Sequence, residues 1–327
     1  MADIKSVLDG MISKSPAFQI TLLSDESSPC VVSEWLSTGC LVLDAILGGG
    51  LPVGRITEIY GDTSTGKSLI AAQVCASVQQ AGGIAVMIDT ESAVSMPIVE
   101  AVGVDIDSLI YTAPDTVEEV FQAIDLALDA KAKSAEDAVM LIVWDSIAAT
   151  SAKAEMEEDV GKPMMAVHAR MISQGLRKFT RRISKERVCA LMLNQTREKI
   201  GVMFGDTTST FGGKAVGFHA SIRVALSVRG KIKVGGKVVG MEAKAVVKKN
   251  KVAPPFRQAI LPIYFGYGVS DDLATYYFLR DAGHISGKGW NTITIGGEEI
   301  RFQVSGWADI YEQHYEAIAD MVYNSLQ

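Results

Sequence analysis

Gly61-Asp62-Thr63-Ser64-Thr65-Gly66-Lys67-Ser68 fits the pattern G-x-x-x-x-G-K-[ST] at every fixed position. Ahead of it runs Arg55-Ile-Thr-Glu-Ile-Tyr60, β-branched and aromatic enough to predict a strand. Behind it runs Leu69-Ile-Ala-Ala-Gln-Val-Cys-Ala-Ser-Val78, a predicted helix. Strand, glycine-rich loop and helix are the context in which such a loop cradles phosphates. Its glycines let backbone N–H groups curl around phosphate oxygens, and the helix N-terminus adds positive potential. Lys67 is placed to reach the β- and γ-phosphates and the Ser68 hydroxyl to ligate Mg²⁺, so ATP with Mg²⁺ is the expected ligand.

Outward from the loop, Ile84-Ala-Val-Met-Ile-Asp89 and the run ending in Trp144-Asp145 are apolar throughout. Such runs predict parallel strands covered on both faces. Acidic groups at the ends of such strands lie where these sheets place their sites. That marks Asp89 and Glu91, and Asp145 as the carboxylate beside Mg²⁺. Val188 to Leu193 is a fourth buried strand, closing on Asn194-Gln195. The fold class is therefore α/β, with a mostly parallel central sheet.

The chain of 327 residues suffices for one large domain and a small appended one. Its net charge of −7 means that nucleic-acid binding must come from a local basic surface. Cys30, Cys40, Cys75 and Cys189 lack metal or redox spacing, which predicts reduced, mostly buried thiols in a cytoplasmic protein. No signal peptide and no membrane-spanning run is expected.

At the N-terminus, Ile4, Val7, Leu8, Met11 and Ile12 form the stripe of an amphipathic helix over residues 1–17, with a short strand predicted at Phe18–Leu23. Such a unit cannot make a core alone. It must dock on its own main domain or on a neighbouring subunit. A long basic helix is predicted over 164–187, its later half carrying Arg177, Lys178, Arg181, Arg182, Lys185 and Arg187. Thr196 to Lys214 has no clear period and combines Arg197, Lys199 and Lys214 with apolar groups, as a loop meeting a sugar–phosphate backbone would. Strands at 221–228, 241–248 and 258–263 follow, and Gly235-Gly236 suggests a hairpin. Residues 271–327 read as a helix, a hairpin across Gly296-Gly297 and one final helix.

The order of phosphate loop, Asp89-x-Glu91, Asp145-Ser146, Asn194-Gln195, Lys199-Ile-Gly-Val-Met-Phe-Gly205 and Lys249-Asn-Lys251 resembles the bacterial RecA recombinase family, over about residues 35–268. The source, bacterial or phage, is open. The resemblance implies a DNA-dependent ATPase that forms helical filaments on single-stranded DNA and exchanges strands with a homologous duplex. It implies an N-terminal oligomerisation arm (1–34), a core (35–270) with DNA-binding loops at 155–164 and 196–212, and a small C-terminal domain (271–327). It gives Glu91 as the base that orients water and Gln195 as the γ-phosphate sensor. Lys249 and Lys251 become lysines reaching a neighbour's ATP, and Phe218 an interface residue. Arg197, Lys199, Met203, Phe204, Gly212 and Gly213 become DNA contacts. In a filament the arm is expected to dock on the next subunit.

Two positions depart from the family. Ile98 aligns where an aromatic usually stacks on adenine, and Gly217 where an interface lysine is usual. The family's strongly acidic tail is missing, so tail inhibition is expected to be weaker. A hexameric ring motor on the same core and a non-catalytic ATP-binding regulator are the alternatives. The loop wording argues against the first, and the intact Lys67, Glu91 and Asp145 against the second.

Overall fold

The computed structural model describes residues 3–14, 20–25, 28, 31–134, 137–157, 165–198 and 208–326. They fall into two compact units, 1–34 and 35–327. In the first, α1 (Ile4–Lys14) carries the expected stripe, with Ile4, Val7, Met11 and Ile12 all exposed. The expected strand at 18–23 is not formed over its described part, 20–23. Leu22 instead accepts the Asp25 N–H in a turn. A strand needs a ladder partner, and this unit offers none among its described residues.

The second unit opens with β1 (Trp35–Leu36), α2 (Leu41–Leu47), β2 (Leu51–Pro52), β3 (Ile56–Gly61) and α3 (Lys67–Gln80). It continues through β4 (Ile84–Asp89), α4 (Met96–Ala101), β5 (Ile110–Thr112), α5 (Val117–Lys133), β6 (Met140–Asp145), α6 (Lys153–Glu157), α7 (Met165–Ile183) and β7 (Val188–Glu198). Then come β8 (Thr208–Thr210), α8 (Lys214–His219), β9 (Ile222–Val234), β10 (Lys237–Asn250), β11 (Gln258–Tyr264) and β12 (Gly268–Val269). The chain finishes with α9 (Asp271–Asp281), β13 (Ile285–Lys288), β14 (Trp290–Ile295), β15 (Glu298–Phe302), α10 (Trp307–Gln313) and α11 (Tyr315–Asn324).

The main sheet runs β12-β11-β10-β9-β3-β7-β6-β4-β5, with β8 added to β7. Strands β9 through β5 are parallel; β10, β11 and β12 are antiparallel. Both faces of the parallel part are covered, which is why its strands read as unbroken apolar runs. On β6, Leu141 and Val143 join the core with α2 and α3, while Met140, Ile142 and Trp144 join the core with α5 and α7. The Thr116 hydroxyl accepts the Glu119 N–H and the Glu119 side chain accepts the Thr116 N–H, a reciprocal cap that starts α5. Tyr276, Phe302, Trp307 and Ile318 enter the same core as α2 and α3, so residues 271–327 share it.

Several expectations change. The connection expected at 229–240 is a ladder: β9 and β10 run on to Gly235-Gly236 as a two-stranded ribbon. The final helix is two, because His314 at φ −121° leaves helical geometry between α10 and α11. On α5, Val117, Val120, Ile124 and Leu128 are buried, whereas Leu126 faces solvent. The basic half of α7 is partly neutralised by α5: Lys178 and Arg182 pair with Asp125, and Arg182 Nη2 lies 2.8 Å from Asp129.

Asp44 on α2 is buried, and burial pushes its carboxyl up to about 6 despite hydrogen bonds from Ser37 Oγ (2.6 Å), Thr38 Oγ1 (2.6 Å) and Thr38 N (2.8 Å). The folded chain therefore holds a proton that the unfolded chain loses between the ordinary 3.8 and about 6. Stability from this group is full below that window and falls as pH rises through it, by roughly 3 kcal/mol at about 1.36 kcal/mol per unit. Asp44→Asn keeps an acceptor for Thr38 and removes the charge. Urea denaturation either side of about pH 5 is expected to show a shallower loss of stability with rising pH than in the wild type. An unchanged slope would contradict this account.

Candidate nucleotide and DNA site

Parallel pairing sets the site at one level of the sheet. Gly61 at the end of β3 pairs with Gln195 on β7, and Asp89 and Asp145, ending β4 and β6, pair with each other. The phosphate loop fills the turn from β3 into α3. Gly66 sits at φ +92°, and a Cβ there would lie 2.5 Å from Ile263 Cδ1, so both conformation and space require glycine. Lys67 Nζ donates to Gly61 O (3.0 Å) and Asp62 O (2.7 Å). Thr65 Oγ1 donates to Asp62 O at 2.9 Å, closing the loop on itself. Burial lowers the Lys67 pKa, and Asp145, Glu91 and Asp62 oppose that shift.

Facing the loop is an acidic wall. Burial lifts Asp145 to about 6; Ser68 and Lys67 pull it down, while Glu91 and Asp89 push it up. Glu91 Oε1 accepts Ser146 Oγ at 2.6 Å and Gln195 Nε2 at 3.3 Å. Asp89 has a different task. Its carboxylate accepts the backbone N–H groups of Glu91, Ala93 and Val94 at 3.0–3.1 Å, and Tyr111 Oη at 3.1 Å, so it shapes the turn that presents Glu91. The Asp145–Ser146 peptide is cis. Ser68, Glu91, Asp145 and Ile98 line one cavity of about 240 Å³, in which Ile98 gives an exposed aliphatic wall.

A buried polar network joins this site to the next segment. Glu58, fully buried on β3, is paired with Arg223, and its Oε1 accepts Asn194 Nδ2 at 2.9 Å. The same Asn194 amide donates to Phe211 O (3.0 Å), and Arg223 Nη2 donates to Thr210 Oγ1 (3.2 Å). Thr196 Oγ1 donates to the Asp62 carboxylate of the phosphate loop. The segment expected to be aperiodic is at its base a β-ribbon, Thr196–Glu198 pairing with Thr208–Thr210. Ser146, Asn194 and Thr196 were not assigned roles from sequence; only the wording Asn194-Gln195 and Asp145-Ser146 hinted at them.

Arg197 lies on the ribbon, donating from Nε to Ser209 Oγ (3.2 Å), its guanidinium 5.4 Å from the Phe211 ring centroid. Gly212 and Gly213 follow at φ +79° and +65°. Lys199, Met203 and Phe204, and most of the 155–164 loop, lie outside the described residues. Lys249 and Lys251 are not brought to the phosphate loop. On the ladder Lys249 pairs with Arg223, whereas Gly61 pairs with Leu226, three residues further along β9. Lys249 Nζ donates to Gly217 O (2.6 Å) and Ala220 O (2.7 Å), and Lys251 Nζ sits 5.9 Å from the Phe218 ring centroid. Burial, then Lys251 and Arg223, lower Lys249 to about 8. Phe218 itself is 74% exposed. A Cβ on Gly217 would lie 3.3 Å from the Arg223 guanidinium.

A G-x-x-x-x-G-K-S loop between β3 and α3, a carboxylate ending β6 and the neighbouring Gln195 on β7 define a P-loop ATPase of the RecA-like α/β class. Residues 11–270 match the RecA N-terminal domain family. Similar proteins, each called Protein RecA, come from Lactobacillus johnsonii (40% identical over 292 residues, covering 87% of this chain and 79% of that one), Symbiobacterium thermophilum (43% over 240 residues; 73% and 67%) and Arthrospira platensis (41% over 267 residues; 80% and 72%). The chain belongs to the RecA family. It is a DNA-dependent ATPase of homologous recombination and repair. Among the described residues no helix is long and apolar enough to cross a membrane.

Proposed function

We propose that in this chain ATP is held between head-to-tail protomers on single-stranded DNA, and that its hydrolysis sets the grip of the 196–212 segment on the strand. One observation carries the reading. Lys67, Glu91, Asp145 and Gln195 gather at one level of the sheet, while Lys249 lies about 10 Å back along the ladder at 3.3 Å per residue and Lys251, its backbone N–H bonded to Ser221 O, further back still. A heterologous contact, repeated, brings the second set to the first set of the next subunit and generates a helix.

Within a protomer, Lys67 and the loop N–H groups of Gly61–Ser68 bind the phosphates. Glu91, oriented by Ser146, takes the proton of the attacking water. Ser68 and Asp145, whose side chains are within hydrogen-bond reach of each other, are hard oxygen donors, a set that fits Mg²⁺. Bound there, the cation neutralises phosphate charge. Arg197, Gly212 and Gly213 meet the DNA backbone at the ribbon base, with Lys199, Met203 and Phe204 as further DNA contacts. Phe218 enters the neighbour, and the apolar stripe of α1 docks on the adjacent core, making 1–34 the assembly arm. Residues 35–270 serve as the catalytic core and 271–327 as a small C-terminal part packed on that core, in the cytoplasm. Phosphate release measured with and without single-stranded DNA tests this, with electron microscopy of the same mixture. DNA-stimulated turnover on helical filaments is expected; closed rings, or turnover indifferent to DNA, would sink it.

Gln195 touches Glu91 and continues directly into the ribbon, so nucleotide state and DNA grip meet at one side chain. An ATP analogue is expected to tighten DNA binding by about 5–150-fold, the usual range of such coupling. In Gln195→Ala that ratio is expected to collapse toward one in fluorescence anisotropy. A preserved ratio would remove Gln195 from the coupling.

A further inference from the structure

Asp62 is the only acid in Gly61–Ser68, so the loop that takes phosphates carries a negative charge of its own. Like charges this close repel, the more so away from bulk water. The register of the sheet shows what holds that carboxylate aside. Gly61 pairs in parallel with Gln195, which brings the next residue of each chain segment, Asp62 and Thr196, side by side where β3 gives way to the loop and β7 runs on. There Thr196 Oγ1 donates to Asp62 Oδ1. Thr196 is also the first rung of the ribbon, paired with Thr210, whose hydroxyl accepts Arg223 Nη2 at 3.2 Å. One side chain thus joins the phosphate loop to the ribbon without passing through Glu91 or Gln195.

Asp62 has a competing attraction on its other side. Its backbone oxygen accepts Lys67 Nζ at 2.7 Å, and its charge favours the Lys67 ammonium against the pull of burial. A phosphate that engages Lys67 withdraws that attraction and repels the carboxylate, leaving the Thr196 hydroxyl as its donor. We propose that Thr196 and Asp62 form a positioning pair that fastens the ribbon to the phosphate loop when the γ-phosphate is present. The inference rests on the reading of 196–212 as a DNA-binding segment set by nucleotide, and adds a second tie beside that of Gln195. Gln195 acts as the trigger at Glu91, and Thr196 anchors the strand that the trigger moves.

The test measures the affinity of the full chain for labelled oligothymidylate by fluorescence anisotropy, once with a non-hydrolysable ATP analogue and once with ADP, and takes the ratio. Thr196→Val keeps the shape and β-branching of the side chain and removes the donor. Its ratio is expected to fall about threefold to tenfold below that of the wild type, the usual worth of one such hydrogen bond. Thr196→Ser returns the hydroxyl and with it the ratio. Asp62→Ala lowers the ratio to a similar degree, and the double variant lowers it no further, because the two side chains act as one unit. By reciprocity, the factor by which DNA tightens binding of the analogue falls equally. An unchanged ratio in Thr196→Val overturns the proposal. So does an equal loss of DNA affinity in both nucleotide states, which makes the pair a mere support of the ribbon, or single effects that multiply in the double variant. A wild-type ratio of one rejects the nucleotide-set reading of 196–212 and this inference with it. A wild-type ratio well above one that survives in Thr196→Val rejects the pair alone.

Discussion

Glu91→Gln is expected to lower DNA-stimulated ATP turnover by about 10²–10⁴-fold, the usual worth of a positioned general base, while nucleotide binding survives. The carboxylate is held by two donors, Ser146 Oγ at 2.6 Å and Gln195 Nε2 at 3.3 Å. Both orient it, while the main grip on the phosphates falls to Lys67 and the loop backbone. Glutamine has the same shape and keeps a carbonyl for Ser146, so the turn built on Asp89 stays in place. What goes is the capacity to accept a proton. Removing one negative charge from beside Asp145 also eases the crowding that raises its carboxyl, so affinity for the nucleotide should hold or improve. Single-turnover phosphate release, paired with binding of a fluorescent ATP analogue, separates the two effects. Turnover within a few-fold of wild type would mean that another group activates the water.

The parts of this site that could be read from sequence are those whose meaning is local. Gly61–Ser68 is a contiguous loop, and β4 and β6 are apolar runs because helices cover both their faces. Asp145 and Gln195 were placed by ending such runs. The parts that could not be read depend on distant partners or lack a period. All seven residues of α2 are buried, so it shows no polar face to mark it as a helix. The Thr196–Glu198 segment of β7 is polar and becomes a strand only through Thr208–Thr210. Glu58 looks anomalous in an apolar strand until Asn194, 136 residues away, and Arg223 meet it.

Lys249→Ala carries the second large effect, and its logic is that of a shared site. Lys249 supplies nothing to the phosphate loop of its own protomer, since it pairs with Arg223 and donates to the carbonyls at the end of α8. A free protomer of the variant should therefore bind nucleotide normally. In the filament, a cation supplied across the interface to a transferring phosphoryl group is worth about 10³–10⁵ in rate, and turnover should fall on that scale. Lys67→Ala fails for the complementary reason: its phosphate loop is defective while its Lys249 is intact. Mixing the two inactive variants then discriminates. At junctions where a Lys249→Ala protomer offers its phosphate loop to the lysines of a Lys67→Ala neighbour, every group is present. Random head-to-tail mixing makes such junctions roughly a quarter of the total. Recovery of activity to a sizeable fraction of that level is expected. A mixture as inactive as its components, with filaments still visible by electron microscopy, would put both lysine functions in one subunit and end the shared-site reading.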